Sequence, residues 1–357
     1  SLFTDAADSL STALALKRQR ILASKLDGQR FARGERLEGP LRRTEEEWRV
    51  QGTIRRIWRQ DKAVWKGVDG DKLLGWLESA QRNLRQVSRY EDFAAQVRGE
   101  GFTDVVLLGI GGSSLGPAVL NEILATSDGL PLHVLDSAEP GQIRKIEQAV
   151  ALKSTLVVVS SKSGSTLETN LLFDYFWERL EKTVGRDGVG RHFVAITDPG
   201  SPLETRAQRG AFRELFLGDP AIGGRYSVLS PFGLVPAALR GIKVSRLLES
   251  AEHMVHACAA DVPPAANAAV QLGLAMGLAG LNGMNYVTIS SSKDLRSFTE
   301  WAEQLIAEST GKDGKGLIPI IDEALGSPRD YGPDRFFIDV SSGRCLTDQE
   351  RAGKLNA

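Results

Sequence analysis

Cysteine and histidine are scarce in this sequence, with two and four copies in 357 residues. Cys258 and Cys345 alone supply neither a disulfide framework nor a metal-ligand cluster, and such sparse use suits a reducing, cytoplasmic compartment. Charge of one sign is missing too. The 44 basic and 45 acidic side chains leave a net charge of −1, so no electrostatic footprint points to nucleic acid or an anionic membrane as partner. Long apolar runs are also lacking. The longest candidate, residues 272–281, is interrupted by glycine and falls well short of the roughly 20 residues that span a bilayer. The opening SLFTDAADSLSTALALKRQR has no apolar core of signal-peptide length. A soluble protein is expected.

The chain is longer than one ordinary domain, which makes two α/β lobes the natural expectation. Residues 1–97 read as a charged, mostly helical segment. Apolar residues stand at helical spacing in EEEWRVQGTIRRIWRQDKAVW (45–65) and DKLLGWLESAQRNLRQV (71–87). Its tryptophans Trp48, Trp58, Trp65 and Trp76 read as packing anchors. From about residue 100 the texture changes to short apolar runs separated by helix-length stretches. The runs are 104–110, 132–136, 155–161, 192–198, 285–291, 316–321 and 335–341. This alternation predicts parallel sheets covered by helices on both faces. Pro263 and Pro264 break the rhythm and suggest a boundary between a first lobe (98–260) and a second (261–357). NAAVQLGLAMGLAGLNG (267–283) then reads as a helix with small apolar faces suited to burial.

Two glycine- and serine-rich loops follow predicted strands. In DVVLLGIGGSSLGPAVLNEIL (104–124) a buried strand runs into Gly109, Gly111 and Gly112, then Ser113 and Ser114, then a helix near Pro117. Glycines permit a tight turn and bring backbone N–H groups close to an anion, and the helix N-terminus adds positive potential. The spacing is neither a dinucleotide fingerprint nor a nucleotide P-loop. In TLVVVSSKSGSTLETNLLF (155–173), Ser161, Ser163, Ser165 and Thr166 gather four hydroxyls around Lys162 and Gly164, again between strand and helix. Such a set can surround a phosphate dianion. Open α/β sheets bind ligands at these strand ends, so two such loops together weigh more than either alone.

Isomerising an aldose to a ketose requires a base that moves a proton between adjacent carbons and a group that stabilises the enediolate. In LRSFTEWAEQLIAESTGKDGKG (295–316), helical spacing sets Trp301, Gln304 and Glu308 beside one another. An amide and a carboxylate four residues apart would then face one ligand. Arg225, in the glycine-flanked turn IGGRYSVLSPFG (222–233), could offset negative charge. Each of these residues alone is more often an ordinary surface group.

Taken together, LLGIGGSSLGP (107–117), SSKSGSTLET (160–169), GGRYSVLSPFGL (223–234) and FTEWAEQLIAESTGKDGKG (298–316) resemble the glucose-6-phosphate isomerase family, also called phosphoglucose isomerase. The four stretches occur in the family's order. The flanks DKAVWKGVDGDKLLGWL (61–77) and LGSPRDYGPDRFFIDV (325–340) look most like the isomerase half of bacterial bifunctional transaldolase–glucose-6-phosphate isomerase proteins. The resemblance implies tandem doubly wound lobes of the SIS (sugar isomerase) type, each a three-layer αβα sandwich on parallel strands, in a homodimer without cofactor or metal. It implies a sugar phosphate as the small-molecule substrate and fusion to a transaldolase domain in a parent protein. Ser161, Lys162, Ser163 and Thr166 would bind the phosphate. Gly112 and Ser113 would line the sugar. Arg225 would stabilise the enediolate, Gln304 would position the substrate, and Glu308 would be the base between C1 and C2.

The family's ring-opening histidine lies C-terminal to the motif holding Glu308, whereas His133, His192, His253 and His256 all precede it. The expectation is therefore an excised or truncated unit with an incomplete second lobe and reduced activity. A non-catalytic SIS-type regulator that binds sugar phosphate is the competing class, and a nicotinamide-linked dehydrogenase a distant third. Gln304 and Glu308 argue against the regulator, because a sensor needs no base.

Overall fold

The structure, a computed structural model, describes residues 35–65 and 72–342. The helical reading of 1–34, the middle of the 61–77 flank and Cys345 lie outside those residues. The described residues form two compact units, 35–65 with 249–283 and 72–248 with 284–342. Both sheets belong to the second unit, so this division follows a different line from the sequence boundary near Pro263.

In chain order the helices are α1 (Glu35–Gln51), α2 (Thr53–Trp58), α3 (Ser79–Leu84), α4 (Val87–Gly99), α5 (Leu115–Leu124) and α6 (Pro140–Ala149). They continue with α7 (Leu167–Val184), α8 (Pro202–Arg209), α9 (Pro231–Leu239), α10 (Val244–Ala257), α11 (Ala268–Leu281) and α12 (Arg296–Thr310). None of them is long and apolar enough to cross a membrane.

In the larger unit, β1 (Asp104–Leu108), β2 (Leu132–Leu135), β3 (Thr155–Ser160), β4 (Phe193–Thr197) and β5 (Glu214–Leu217) form an all-parallel sheet in the order β2-β1-β3-β4-β5. Alternate residues of its central strands feed two cores, which is why these strands read as continuous apolar runs. Val105, Leu107, Leu156, Val158, Val194 and Ile196 pack under Phe93 and Val97 of α4 and Phe232 and Val235 of α9. Val106, Leu108, Val157, Val159, Phe193 and Ala195 face Phe173, Phe176 and Leu180 of α7 and Leu203 of α8. A three-layer αβα sandwich results. The second sheet, β6 (Tyr286–Ser291), β7 (Ile318–Ile321) and β8 (Arg335–Val340), is also parallel, in the order β7-β6-β8. That arrangement repeats the β2-β1-β3 portion of the first sheet. Pro319 is tolerated in β7 because β7 is an edge strand.

All seven predicted runs contain strands, whereas β5 was not expected. It has four residues, pairs with one neighbour only and is half exposed, so its sequence ELFL carries too little apolar signal. In the smaller unit, Gly52 at φ 62° breaks the helical run between α1 and α2. Helix α11 is capped by Asn267, whose side chain accepts from Val270 N at 3.1 Å. It buries Gln271, Leu274, Ala275 and Ala279, one helical face, as its small apolar residues suggested. Trp58 donates to Cys258 O at 2.8 Å, a packing role with its polar end satisfied.

Candidate active site

Strand order reverses between β1 and β3, and ligands in open α/β sheets gather outside the carboxyl ends of strands at such a switch point. The two glycine- and serine-rich loops leave β1 and β3 there. After β1, Ile110 is extended and Gly111 to Ser113 close a single 3₁₀ turn before α5. Gly111 takes φ +58°, and a Cβ on it would stand 3.2 Å from Gln304 Nε2. Gly112 is required for a different reason. A Cβ there would overlap the Gly224 carbonyl and lie 2.9 Å from Arg225 N, so only a glycine lets the two loops close on each other.

Arg225 lies in the 3₁₀ turn Gly224–Leu229. Its Nη1 donates to Glu308 Oε1 at 2.8 Å and its Nε to Ser309 Oγ at 2.8 Å. Ser309 Oγ also lies 2.8 Å from the Tyr226 hydroxyl. Tyr226 in turn stacks on Trp76, with ring centroids 5.5 Å apart. The guanidinium side chain is 16% exposed against 52% for Glu308, so the arginine is fixed while the carboxylate is open to a ligand. On α12, Gln304 Nε2 donates to Glu308 Oε2 at 3.3 Å, and the buried Gln304 Oε1 has no hydrogen-bond partner among the described residues. Lys312 Nζ donates to the Glu308 carbonyl at 2.7 Å, closing the helix end. Glu308, Gln304 and Arg225 thus form one hydrogen-bonded cluster beside Gly111 and Gly112.

The loop after β3 is braced from within. Ser161 is buried; its Oγ accepts from Gly164 N at 3.1 Å and lies 3.1 Å from Thr166 Oγ1. Gly164, at φ +67°, leaves room for Leu203 N, which a Cβ would approach to 2.8 Å. Ser163 and Ser165 are exposed, and Ser163 Oγ accepts from the Ser165 hydroxyl at 3.0 Å and the Ser165 amide at 3.2 Å. Thr166 is the N-cap of the 18-residue helix α7 but makes no side-chain cap bond, so first-turn amides of α7 remain for another acceptor. Lys162 takes a separate course. Its ammonium pairs with Asp198 Oδ2 at the end of β4 and donates to Asp219 O at 3.1 Å. Ser113 is buried in the 3₁₀ turn beside Gly112.

Sequence reasoning missed Tyr226, Ser309, Trp76 and Asp198. Tyr226 and Ser309 directly follow Arg225 and Glu308, and Asp198 directly follows β4; position was the available signal. Among the described residues, no group of three or more His, Cys, Asp or Glu side chains could hold a metal ion.

Residues 32–319 match the family model described as phosphoglucose isomerase. A glucose-6-phosphate isomerase of Rubrobacter xylanophilus is 37% identical over 240 residues, covering 64% of this chain and 55% of the relative. The chain spans about half the length of the curated relatives it matches. A crystal structure from Thermus thermophilus, described as a hypothetical protein, superposes with a TM-score of 0.69 at 28% identity, covering 85% of this chain and 73% of that one. The glucose-6-phosphate isomerase of Chlamydia trachomatis shares the fold, with a TM-score of 0.55 at 24% identity over 76% of this chain and 53% of that chain.

Proposed function

The chain belongs to the phosphoglucose isomerase family, and from that premise we propose that it interconverts glucose 6-phosphate and fructose 6-phosphate through a cis-enediolate. The observation that carries the reading is the cluster of Glu308, Arg225 and Gln304 beside the glycine loop at the β1/β3 switch point.

In this scheme the Glu308 carboxylate takes the proton from C2 of the open-chain aldose. The electron pair of that C–H bond forms the C1–C2 double bond, and the former carbonyl oxygen becomes anionic. Arg225 offsets that charge. A proton passes from the C2 hydroxyl to the C1 oxygen, and Glu308 then returns its proton to C1 as the C2 carbonyl forms, giving the ketose. Substrate and product are isomers, so the chemistry involves no net redox change. Support for Glu308 comes from its exposure and its two hydrogen-bonded neighbours, and for Arg225 from its restraint by Ser309. Gln304 positions the substrate, and Gly112 and Ser113 line the sugar. Ser161, Ser163, Thr166 and the first amides of α7 form the phosphate end, with Lys162 in the same loop. The same reading takes the enzyme as a cytoplasmic homodimer joined to a transaldolase domain in its parent protein, on the likeness of residues 61–77 and 325–340.

A positioned general base contributes about 10²–10⁴-fold, so Glu308→Gln lowers kcat by about a thousandfold while KM changes little. Isomerisation of fructose 6-phosphate, followed by a coupled assay, checks this. A variant with near wild-type kcat removes Glu308 from the role of base.

A further inference from the structure

Resting on the isomerase reading, we infer that Lys162 and Asp198 form a strap that positions the phosphate loop, and that Lys162 does not itself grip the phosphate. Lys162 is bound to the neighbouring strand ends at several points. Its carbonyl accepts from Asp198 N at 3.1 Å and from Thr197 Oγ1 at 3.3 Å. Its ammonium pairs with Asp198 Oδ2 and donates to Asp219 O at 3.1 Å. The preceding residue, Ser161, donates its amide to Ile196 O at 3.0 Å. The loop after β3 is thereby tied to the ends of β4 and β5, close before the turn that carries Arg225.

Burial decides which way the ammonium faces. The Lys162 and Asp198 side chains are 22% and 18% exposed. Asp198 Oδ1 is fully enclosed and has no hydrogen-bond partner among the described residues. The space is cut to fit, for a Cβ on Gly218 would stand 2.6 Å from that oxygen and 2.6 Å from the Phe232 ring. Lys162 is therefore the cation that makes the enclosed Asp198 carboxylate tolerable. Swinging it toward a phosphate would leave that charge uncompensated, which costs more than an exposed phosphate contact returns. Lys162 and Asp198 together are close to neutral. The phosphate must then rely on the hydroxyls of Ser161, Ser163 and Thr166 and on the amides at the start of α7, in an orientation the strap holds.

The substitution Asp198→Asn separates the two roles of Lys162. If Lys162 gripped the phosphate, losing its competing carboxylate would leave affinity equal or tighter. As a strap partner, Asp198 is needed, and Asp198→Asn weakens binding of 6-phosphogluconate by about tenfold, measured by calorimetry. Lys162→Met weakens it comparably, and the double variant is no worse than either single one. KM rises for both single variants while kcat holds, a split that a simple loss of folded protein would not produce. Amide hydrogen exchange over 160–166, measured without ligand, is faster in Asp198→Asn. Equal or tighter binding by Asp198→Asn, or unchanged exchange in that loop, overturns the strap. A wild-type protein that binds no 6-phosphogluconate overturns the isomerase reading instead, and loop exchange still decides whether the strap exists.

Discussion

Arg225 has little freedom. Its backbone N–H would be pressed by any side chain at Gly112, and its guanidinium is held between Glu308 and Ser309. Gly112→Ala therefore forces the Gly224–Arg225 peptide outward. Overpacking of this kind costs about 1–3 kcal/mol. A displaced catalytic group can lower turnover by about a hundredfold. Thermal unfolding and steady-state kinetics of the variant check both, and wild-type kcat would show that Arg225 tolerates the shift. At this scale Glu308, Gln304 and Arg225 were legible because their motifs resemble those of a family. The partners that fix them were not. Ser309 meets Arg225 only after α12 reaches the turn at 224–229, a contact between residues 84 positions apart. The family resemblance implies Lys162 as a phosphate ligand. Its carboxylate partner sits at the end of another strand, and no local pattern announces it.

Helices α3 and α4 support the Arg225 turn from beneath. Asn83 Nδ2 donates to Leu229 O at 3.0 Å and Ser79 Oγ to the same carbonyl at 2.5 Å. The Tyr90 hydroxyl donates to Asn83 Oδ1 at 2.6 Å. Burial pushes the Tyr90 hydroxyl up to about 12, so it remains a donor at any working pH. Tyr90→Phe leaves Asn83 Oδ1 buried without that donor, a loss of about 1–3 kcal/mol that denaturant unfolding would register. An unchanged midpoint would mean that Asn83 finds another donor. The strands were legible as elements because burial on both faces leaves uninterrupted β-branched runs. β5 was not, since an edge strand of four residues needs only one apolar face. The support beneath Leu229 was hidden for another reason. It depends on α3, braced by Tyr90 of α4, lying against a turn 146 to 150 residues away, which periodicity cannot encode.

Across the whole molecule, the same strand arrangement occurs twice, as β2-β1-β3 and β7-β6-β8, in one compact unit. The alternation of runs and helices foretold parallel sheets. It could not show that 35–65 would join 249–283, because that grouping rests on side-chain packing between distant helices, such as Gln271 Nε2 donating to Glu45 Oε1 at 2.6 Å. The larger unit carries an acid-sensitive tie. Arg213 grips Glu100 through two bonds of 3.0 and 2.6 Å, and with help from Gln96 this holds the Glu100 carboxyl down at about 2. A depressed carboxyl stabilises the fold above its unfolded value near 4.3, and this contribution drains away as pH falls toward about 2. Solvent reaches Glu100, so the effect is modest. Wild-type protein should exceed Glu100→Gln in Tm at pH 6, with the gap closing by pH near 2; a gap independent of pH would assign the difference to packing.

The central claim is that Glu308 moves a proton between two carbons of a bound sugar phosphate. It is tested most directly by incubating fructose 6-phosphate with the protein in D₂O and following C1 by proton NMR. The account predicts deuterium entering C1 with wild-type protein and none above background with Glu308→Gln. No exchange by the wild type, or equal exchange by both, would contradict it.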